Sequence, residues 1–596
     1  MLNSKRFYNM KKIYMLGLAA ALMFSSCEDF LDSENYTGKD SGNYPKTEED
    51  VAQMVSSVYK ATFYQQWQGD YGNNSEKYFA AANLASDEMY GGGGENDAPT
   101  QAVEHFMYTS DTQFEGFWSA GYAAISRANA ALAAVDNVTD ENLRNQTKGE
   151  LLFLRAFTYF DLVKCFGNIP LLEKAPEGVE EAQTSPEQKA PEEIFKQIAS
   201  DLYVATQIMP SYTFDGWSKL EFGKATRWAA EALLGRVFLY YTGFFNKSSM
   251  PMTPVEGYEV TEITKDYVVE CLNDVINNSG HDLLADYRSL WAYSNPETAA
   301  DYDYLSDLGE KWSEDNKEAI FSVNYAFRGA WDSQLHMTNQ WCLFFGIRAN
   351  DPSTDTRYNK DDAMSVYPFG GGWGIGPVTP NFVDEWKKAE PTDKRYEASV
   401  LTFPSNYDYG KCDSGMEMTG YHQKKINPYR CNGGEYFSFN AKLYGSDGVL
   451  GHFQASNCQP LVLIRFADVL LMQSELTETA DGINKVRARA GLPSVSYSLQ
   501  ALQNERRWEL AFEGLRWDDM RRWHIAEECL AKQVGGKIYN KGTETVMKDQ
   551  GDGYVARYKA TNGYFRIPQI EVDLSNGQLK QNPGWEGMQG FFASWK

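Results

Sequence analysis

Aromatic rings set beside glycines and planar polar side chains are the groups in this chain best suited to recognising a ligand. Tyr90 runs into Gly91-Gly92-Gly93-Gly94, Trp331 follows Phe327-Arg328-Gly329-Ala330, and Trp373 is framed by Gly370-Gly371-Gly372 and Gly374. A ring with glycine neighbours has few local side chains to bury it, and four consecutive glycines predict a mobile segment beside Tyr90. Flat faces of this kind stack on sugar rings, while amide, carboxylate and guanidinium groups meet the hydroxyls. Asp87, Asn96, Arg328 and Asn339 stand near these rings in sequence, as do Asn83 and Arg348. Trp341 is a further candidate, although Cys342-Leu343-Phe344-Phe345 after it has core character. Trp118, Trp228, Trp508 and Trp517 fall on helical faces, where packing is the expectation.

Catalytic signatures are missing. The sequence contains no GxSxG, HExxH, Walker loop or GxGxxG, and its six His residues are scattered without metal spacing. Two carboxylates acting on a glycosidic bond leave no fixed spacing, so a surface glycoside hydrolase stays as a less favoured reading. No cofactor is expected. Asp301, Asp303 and Asp307 offer oxygen ligands to calcium but lack the glycine turn and terminal Glu of an EF-hand, and a solvated acidic loop is the favoured reading. The eight cysteines include no CxxC pair; a disulfide between Cys412 and Cys431 is open, and most of the others sit in apolar helical contexts.

The elements that must position the rings are mainly helices. Val51, Met54, Val55, Val58 and Tyr59 follow helical spacing, as do Phe114, Phe117, Trp118, Gly121, Tyr122 and Ile125. Residues 149–166 and 225–245 combine Ala or Gly with Leu and aromatic rings, the pattern of tetratricopeptide-like helical hairpins. Two further helices are expected at 461–476 and 499–523. Between them, residues 295–457 lose periodicity and are rich in Gly, Asn, Asp, Pro and aromatics, with short strand-like pieces at 319–325 and 398–403. The predicted fold is therefore mostly α, a helical-hairpin scaffold built from both ends of the chain with an irregular, loop-rich insertion carrying short strands. Long loops on a rigid scaffold are where binding residues concentrate.

The N-terminus bears on location. Lys5, Arg6, Lys11 and Lys12 precede an apolar run at 13–24, and Ser25-Ser26-Cys27-Glu28-Asp29 follows. The run is shorter than the roughly 20 residues a membrane span needs, so it reads as an export signal. A cysteine directly after two small residues resembles a lipobox, which makes Cys27 a lipid anchor, each buried methylene adding about 0.8 kcal/mol. Expected boundaries are a signal peptide at 1–26, an anchor and flexible tether at 27–45, an N-terminal helical repeat region at 46–294, the ligand-binding insertion at 295–457 and a C-terminal helical region at 458–596. Tyr, Phe and Trp make up 14% of the 596 residues, more than packing alone usually requires. The formal charge of −25, which loss of the four basic signal residues makes more negative, argues against nucleic acid as a partner.

Several segments resemble one family, the SusD/RagB outer-membrane nutrient-binding lipoproteins of Bacteroidetes. They are Cys27-Glu28-Asp29-Phe30-Leu31-Asp32, Phe153-Leu154-Arg155-Ala156 leading to Phe166-Gly167-Asn168-Ile169-Pro170-Leu171, and Ile464-Arg465-Phe466-Ala467-Asp468-Val469-Leu470-Leu471-Met472 with Glu475. Glu505-Arg506-Arg507-Trp508-Glu509-Leu510, Phe512-Glu513-Gly514 and Arg516-Trp517-Asp518-Asp519-Met520 continue the set, and Ile567-Pro568-Gln569-Ile570-Glu571 and Gln581-Asn582-Pro583-Gly584-Trp585 complete it. Read physically, the acids and arginines of 505–523 predict ion-pair ladders along one helix, a structural role. The resemblance implies four tetratricopeptide-like units, a binding protein rather than an enzyme, and ligand loops near residues 86–101 and 326–376. It further implies placement on the extracellular face of the outer membrane, with a SusC-like TonB-dependent transporter as partner. The implied ligand is a polysaccharide or oligosaccharide; the alternative is a peptide, as in the RagB branch.

Overall fold

In the computed structural model, residues 47–63, 77–175, 187–214, 223–295, 305, 316–326, 338–348, 366–369, 371–429 and 457–595 are described. The helices α1 (Glu48–Phe63), α2 (Glu115–Ala133), α3 (Glu141–Phe166), α4 (Pro191–Ile208), α5 (Arg227–Phe244) and α6 (Lys265–Asn278) follow one another through the first half of the chain. Each packs on the next, α1 on α2 through to α5 on α6, so the array grows by neighbour contacts as a helical-repeat scaffold does. Capping side chains set the starts: Asp140, Thr226 and Thr264 accept the N–H of Leu143, Ala229 and Tyr267. Small residues allow the close approaches; a Cβ on Gly235 of α5 would lie 2.9 Å from Leu272 of α6.

The array then resumes across the insertion. α7 (Phe466–Thr477) packs on α6 as well as on α8 (Asp481–Arg489) and α9 (Leu499–Glu509), while α10 (Arg516–Arg522) returns to α5. The two ends of the insertion are joined by strand β1 (Ala319–Val323) pairing antiparallel with β4 (Leu461–Arg465). Within it, β2 (Val400–Thr402) pairs with β3 (Tyr421–Gln423), and after it β5 (Lys537–Asn540) and β6 (Thr543–Val546) form a hairpin. A large apolar core unites the helices, and a second, smaller core of Tyr287, Trp291, Tyr293, Phe369, Phe403 and Tyr429 lies within 284–429.

Three local expectations are corrected. Residues 461–465 form β4 rather than the start of a helix, because Ala319–Val323 offers a strand partner and the helix begins only at Phe466. The helix expected over 499–523 is two, since Phe512 (φ +67°) and Gly514 (φ +74°) break it. Its charges do not form ladders along one helix face. Most pair across elements inside the core: Arg395 with Asp393, Glu505 and Glu509, and Arg465 with Glu318, Glu509 and Glu513. Such buried pairs penalise any packing that leaves one partner alone.

Candidate ligand-binding face

Short segments stack edge to edge where the two expected loop regions meet. Tyr90 N–H donates to the Pro377 carbonyl and Gly93 N–H to that of Gly374, each at 2.9 Å. Gly374 N–H donates in turn to the Gly346 carbonyl at 2.6 Å, and Gly372 N–H to Ile347 at 2.9 Å. On the other side Met416 N–H donates to Gly93 (2.8 Å), and Met418 exchanges hydrogen bonds with Tyr539 of β5. Glycine is what this stacking requires: a Cβ on Gly372 would sit 2.2 Å from the Gly346 Cα, and one on Gly92, at φ +63°, 2.5 Å from the Gly374 carbonyl. The expectation of mobility is thus corrected. Gly91 to Gly94 are buried and bonded on both edges.

This packing separates the candidate residues. Tyr90 is fully buried, its ring against Ile538 and Met547 and its hydroxyl donating to the Gln533 carbonyl at 3.0 Å, so its face is closed to a ligand. Trp341 is buried too, edge-on to Phe79 at 5.2 Å between ring centroids. Asn339 caps the short helix Gln340–Phe344 by accepting the Trp341 N–H at 3.0 Å and donates to the Gln459 carbonyl at 2.8 Å. Asn83 is buried and accepts the Gly514 N–H. Asp87 takes Arg516 at 2.8 and 3.0 Å and Arg507 at 2.8 Å. Burial works against its charge, but the two guanidinium groups outweigh that and hold the carboxyl well below the usual range. These four candidates, Tyr90, Trp341, Asn339 and Asp87, are support rather than contact surface. Trp331 and Arg328 lie outside the described residues, as do Cys27, Cys431, Asp301, Asp303 and Asp307; Cys412 is buried with its sulfur 3.4 Å from the Tyr407 hydroxyl.

Trp373 and Asn96 remain at the surface. Asn96 is exposed in the turn Glu95–Asp97, and Trp373 is half-buried, tilted against Phe344 at 6.3 Å. Arg348 ties the two loops together, donating to Asp97 Oδ2 at 3.0 Å and to the Trp373 carbonyl at 3.2 Å. Asp97 Oδ2 also accepts the Gly94 N–H at 2.7 Å, so one carboxylate holds both the loop and the guanidinium. Next to it, Lys541 pairs with Glu95.

Sequence reasoning missed the aromatic pair beside this cluster. Tyr409 and Tyr539, both half-buried, stack at 3.6 Å with their planes 3° apart, and the Lys537 ammonium lies 5.2 Å from the Tyr539 ring. Tyr539 is presented by the β5–β6 hairpin, whose two-residue turn has Lys541 at φ +50° and Gly542 at φ +75°, the left-handed pair of a type I′ turn. Alternation around Lys541-Gly542 signals the hairpin; nothing local signals Tyr409 as its partner. Rings, a guanidinium, a carboxylate and an amide therefore adjoin one another along half-exposed loops, an arrangement suited to stacking on a ring and bonding its hydroxyls.

Residues 349–585 match the family described as the SusD family, and residues 29–239 match one described as starch-binding, associating with the outer membrane. A SusD-like protein of Bacteroides ovatus is 24% identical over 598 aligned positions, covering 95% of this chain and 94% of that one. SusD-like protein P2 of Formosa agariphila is 26% identical, covering 72% of this chain and 75% of that one. Among solved structures, a laminarin-binding SusD-like protein superposes with TM-score 0.64 at 24% identity, covering 91% of this chain and all (100%) of the other. Surface glycan-binding protein A of Bacteroides thetaiotaomicron in complex with laminarihexaose gives 0.63 at 19% identity, covering 90% and 99%. With family models matching residues 29–239 and 349–585 and a fold shared over 91% of its length, this chain belongs to the SusD family.

Proposed function

We propose that the protein is a glycan-binding lipoprotein of the outer cell surface, tethered to the outer membrane through Cys27, that captures an oligosaccharide or polysaccharide and passes it to a TonB-dependent transporter. Binding without turnover is the activity. The observation that carries the reading is the convergence of residues 91–97, 343–348 and 371–377 into one hydrogen-bonded stack edged by Trp373, Arg348, Asp97 and Asn96. Support comes also from the relatives, whose names record laminarin and laminarihexaose as ligands. Trp373 and the Tyr409–Tyr539 pair supply stacking faces, and Arg348 and Asn96 meet hydroxyls.

The test is calorimetry of the chain against laminarin, starch, other neutral glycans and a peptide digest. Saturable binding of at least one glycan, with no new reducing ends after prolonged incubation, supports the proposal; binding confined to peptides overturns it. For the partner, mild detergent extraction is expected to co-purify a β-barrel transporter, and Cys27→Ala to release the protein from the membrane fraction. Recovery of the lipoprotein alone from membranes that contain the barrel refutes the partnership.

A further inference from the structure

Glu104, His105 and Glu417 meet directly beneath the glycine segment. All three are buried, and one ligating atom from each lies within 4.8 Å of the others. Glu104 ends the helix Ala98–Glu104 and His105 follows it, whereas Glu417 arrives from the 412–418 loop in a left-handed conformation, φ +51°. Two backbone donors of the glycine segment reach these carboxylates: Gly91 N–H bonds Glu104 Oε2 at 2.5 Å, and Gly92 N–H bonds Glu417 Oε2 at 2.8 Å. The Tyr554 hydroxyl donates to Glu104 Oε1.

What remains is unsatisfied. Among the described residues, Glu417 Oε1 and both ring nitrogens of His105 have no hydrogen-bond partner, although they are shut off from water. Several other buried acids face cations: Asp87 meets Arg507 and Arg516, Asp468 meets Arg236 and Arg506, Glu509 meets Arg395 and Arg465, whereas Glu88 is buried without an ion pair among the described residues. Among the described residues no such ion pair reaches Glu104 or Glu417. Two carboxylates pressed together in a low-dielectric interior need a proton or a cation between them, and an imidazole nitrogen within reach of the same point adds a third donor atom for a cation.

We propose that Glu104, His105 and Glu417 form a buried site for a divalent transition-metal ion, zinc by its donor set. One nitrogen and two carboxylates cancel a double positive charge and suit zinc or manganese better than calcium, which takes six to eight oxygens. Because the same carboxylates hold Gly91 and Gly92, an ion there would clamp the segment that leads into Asp97 and Arg348. The site does not depend on which ligand the outer face binds.

Full-length protein extracted in detergent without chelator is assayed for metal by mass spectrometry, then stripped and titrated with zinc, manganese and calcium while thermal unfolding is followed. The expected result is a stoichiometric zinc or manganese ion, a rise in Tm when it is restored to stripped protein, and an affinity about tenfold or more weaker in His105→Gln. His105→Gln keeps the shape of the cluster, and Glu417→Gln gives the second reading where folding of the first is impaired. Purified protein without such an ion and without a Tm response to zinc or manganese overturns the proposal and leaves a carboxyl pair sharing a proton. So does uptake of calcium alone, or metal content unchanged in both variants.

Discussion

Trp373 and Tyr90 show how far one backbone step decides a side chain's use. Both are rings among glycines, yet Tyr90 turns inward to the Gln533 carbonyl and Trp373 stays half-exposed over Phe344. Trp373→Ala is therefore expected to weaken glycan binding roughly tenfold, the equivalent of about 1.4 kcal/mol of stacking, with little change in Tm. Tyr90→Phe has the opposite signature. Loss of its buried hydrogen bond costs about 1 kcal/mol of stability and leaves glycan affinity within a factor of two of the wild type. Calorimetry and thermal melts on the two variants separate these outcomes, and a Tyr90→Phe variant that binds poorly at unchanged stability would contradict the buried role.

Glycine-rich segments act as joinery between elements rather than as hinges. A methyl at Gly372 has no room against Gly346, so Gly372→Ala must push residues 371–374 away from 343–348 and weaken the hydrogen bonds that continue into 91–93. Faster amide exchange in 89–94 and 343–348 is expected, with glycan affinity falling although Gly372 itself is buried. Unchanged exchange in both segments would show that the stack is not continuous. The β5–β6 turn is the comparable point on the other edge, where Gly542 carries φ +75° and sets the stack of Tyr539 on Tyr409.

Across the molecule, buried ion pairs join the two halves of the helical array. Asp468 of α7 receives Arg236 of α5 at 2.6 Å and Arg506 of α9 at 2.7 Å. Burial raises its pKa and the two arginines outweigh this, bringing it down to about 2 from 3.8. A carboxylate depressed in the fold stabilises above its unfolded pKa and loses that contribution as pH falls through the folded one. The Asp468 share, about 2 kcal/mol, is thus present at neutral pH and lost between about pH 4 and 2. Asp468→Asn leaves two guanidinium groups facing a neutral amide and is expected to cost about 3 kcal/mol at pH 7. Its stability should also depend less on pH between 4 and 2 than the parent's. Equal slopes for the two proteins would remove Asp468 from the acid response.

Helices were legible because their signal is local. The 3.6-residue spacing of Val51, Met54 and Val58 and the family's hallmark segments can be read without knowing what lies opposite. The two loop regions were legible for the same reason, since glycines and rings cluster within each. Tertiary structure alone decided which way a side chain faces in an irregular segment, because there orientation follows from the partner strand and not from a period. Thus 374–378 turn Tyr90 inward, Ala319–Val323 makes residues 461–465 a strand, and the chain fold brings Tyr539 onto Tyr409 and Glu417 onto Glu104 and His105.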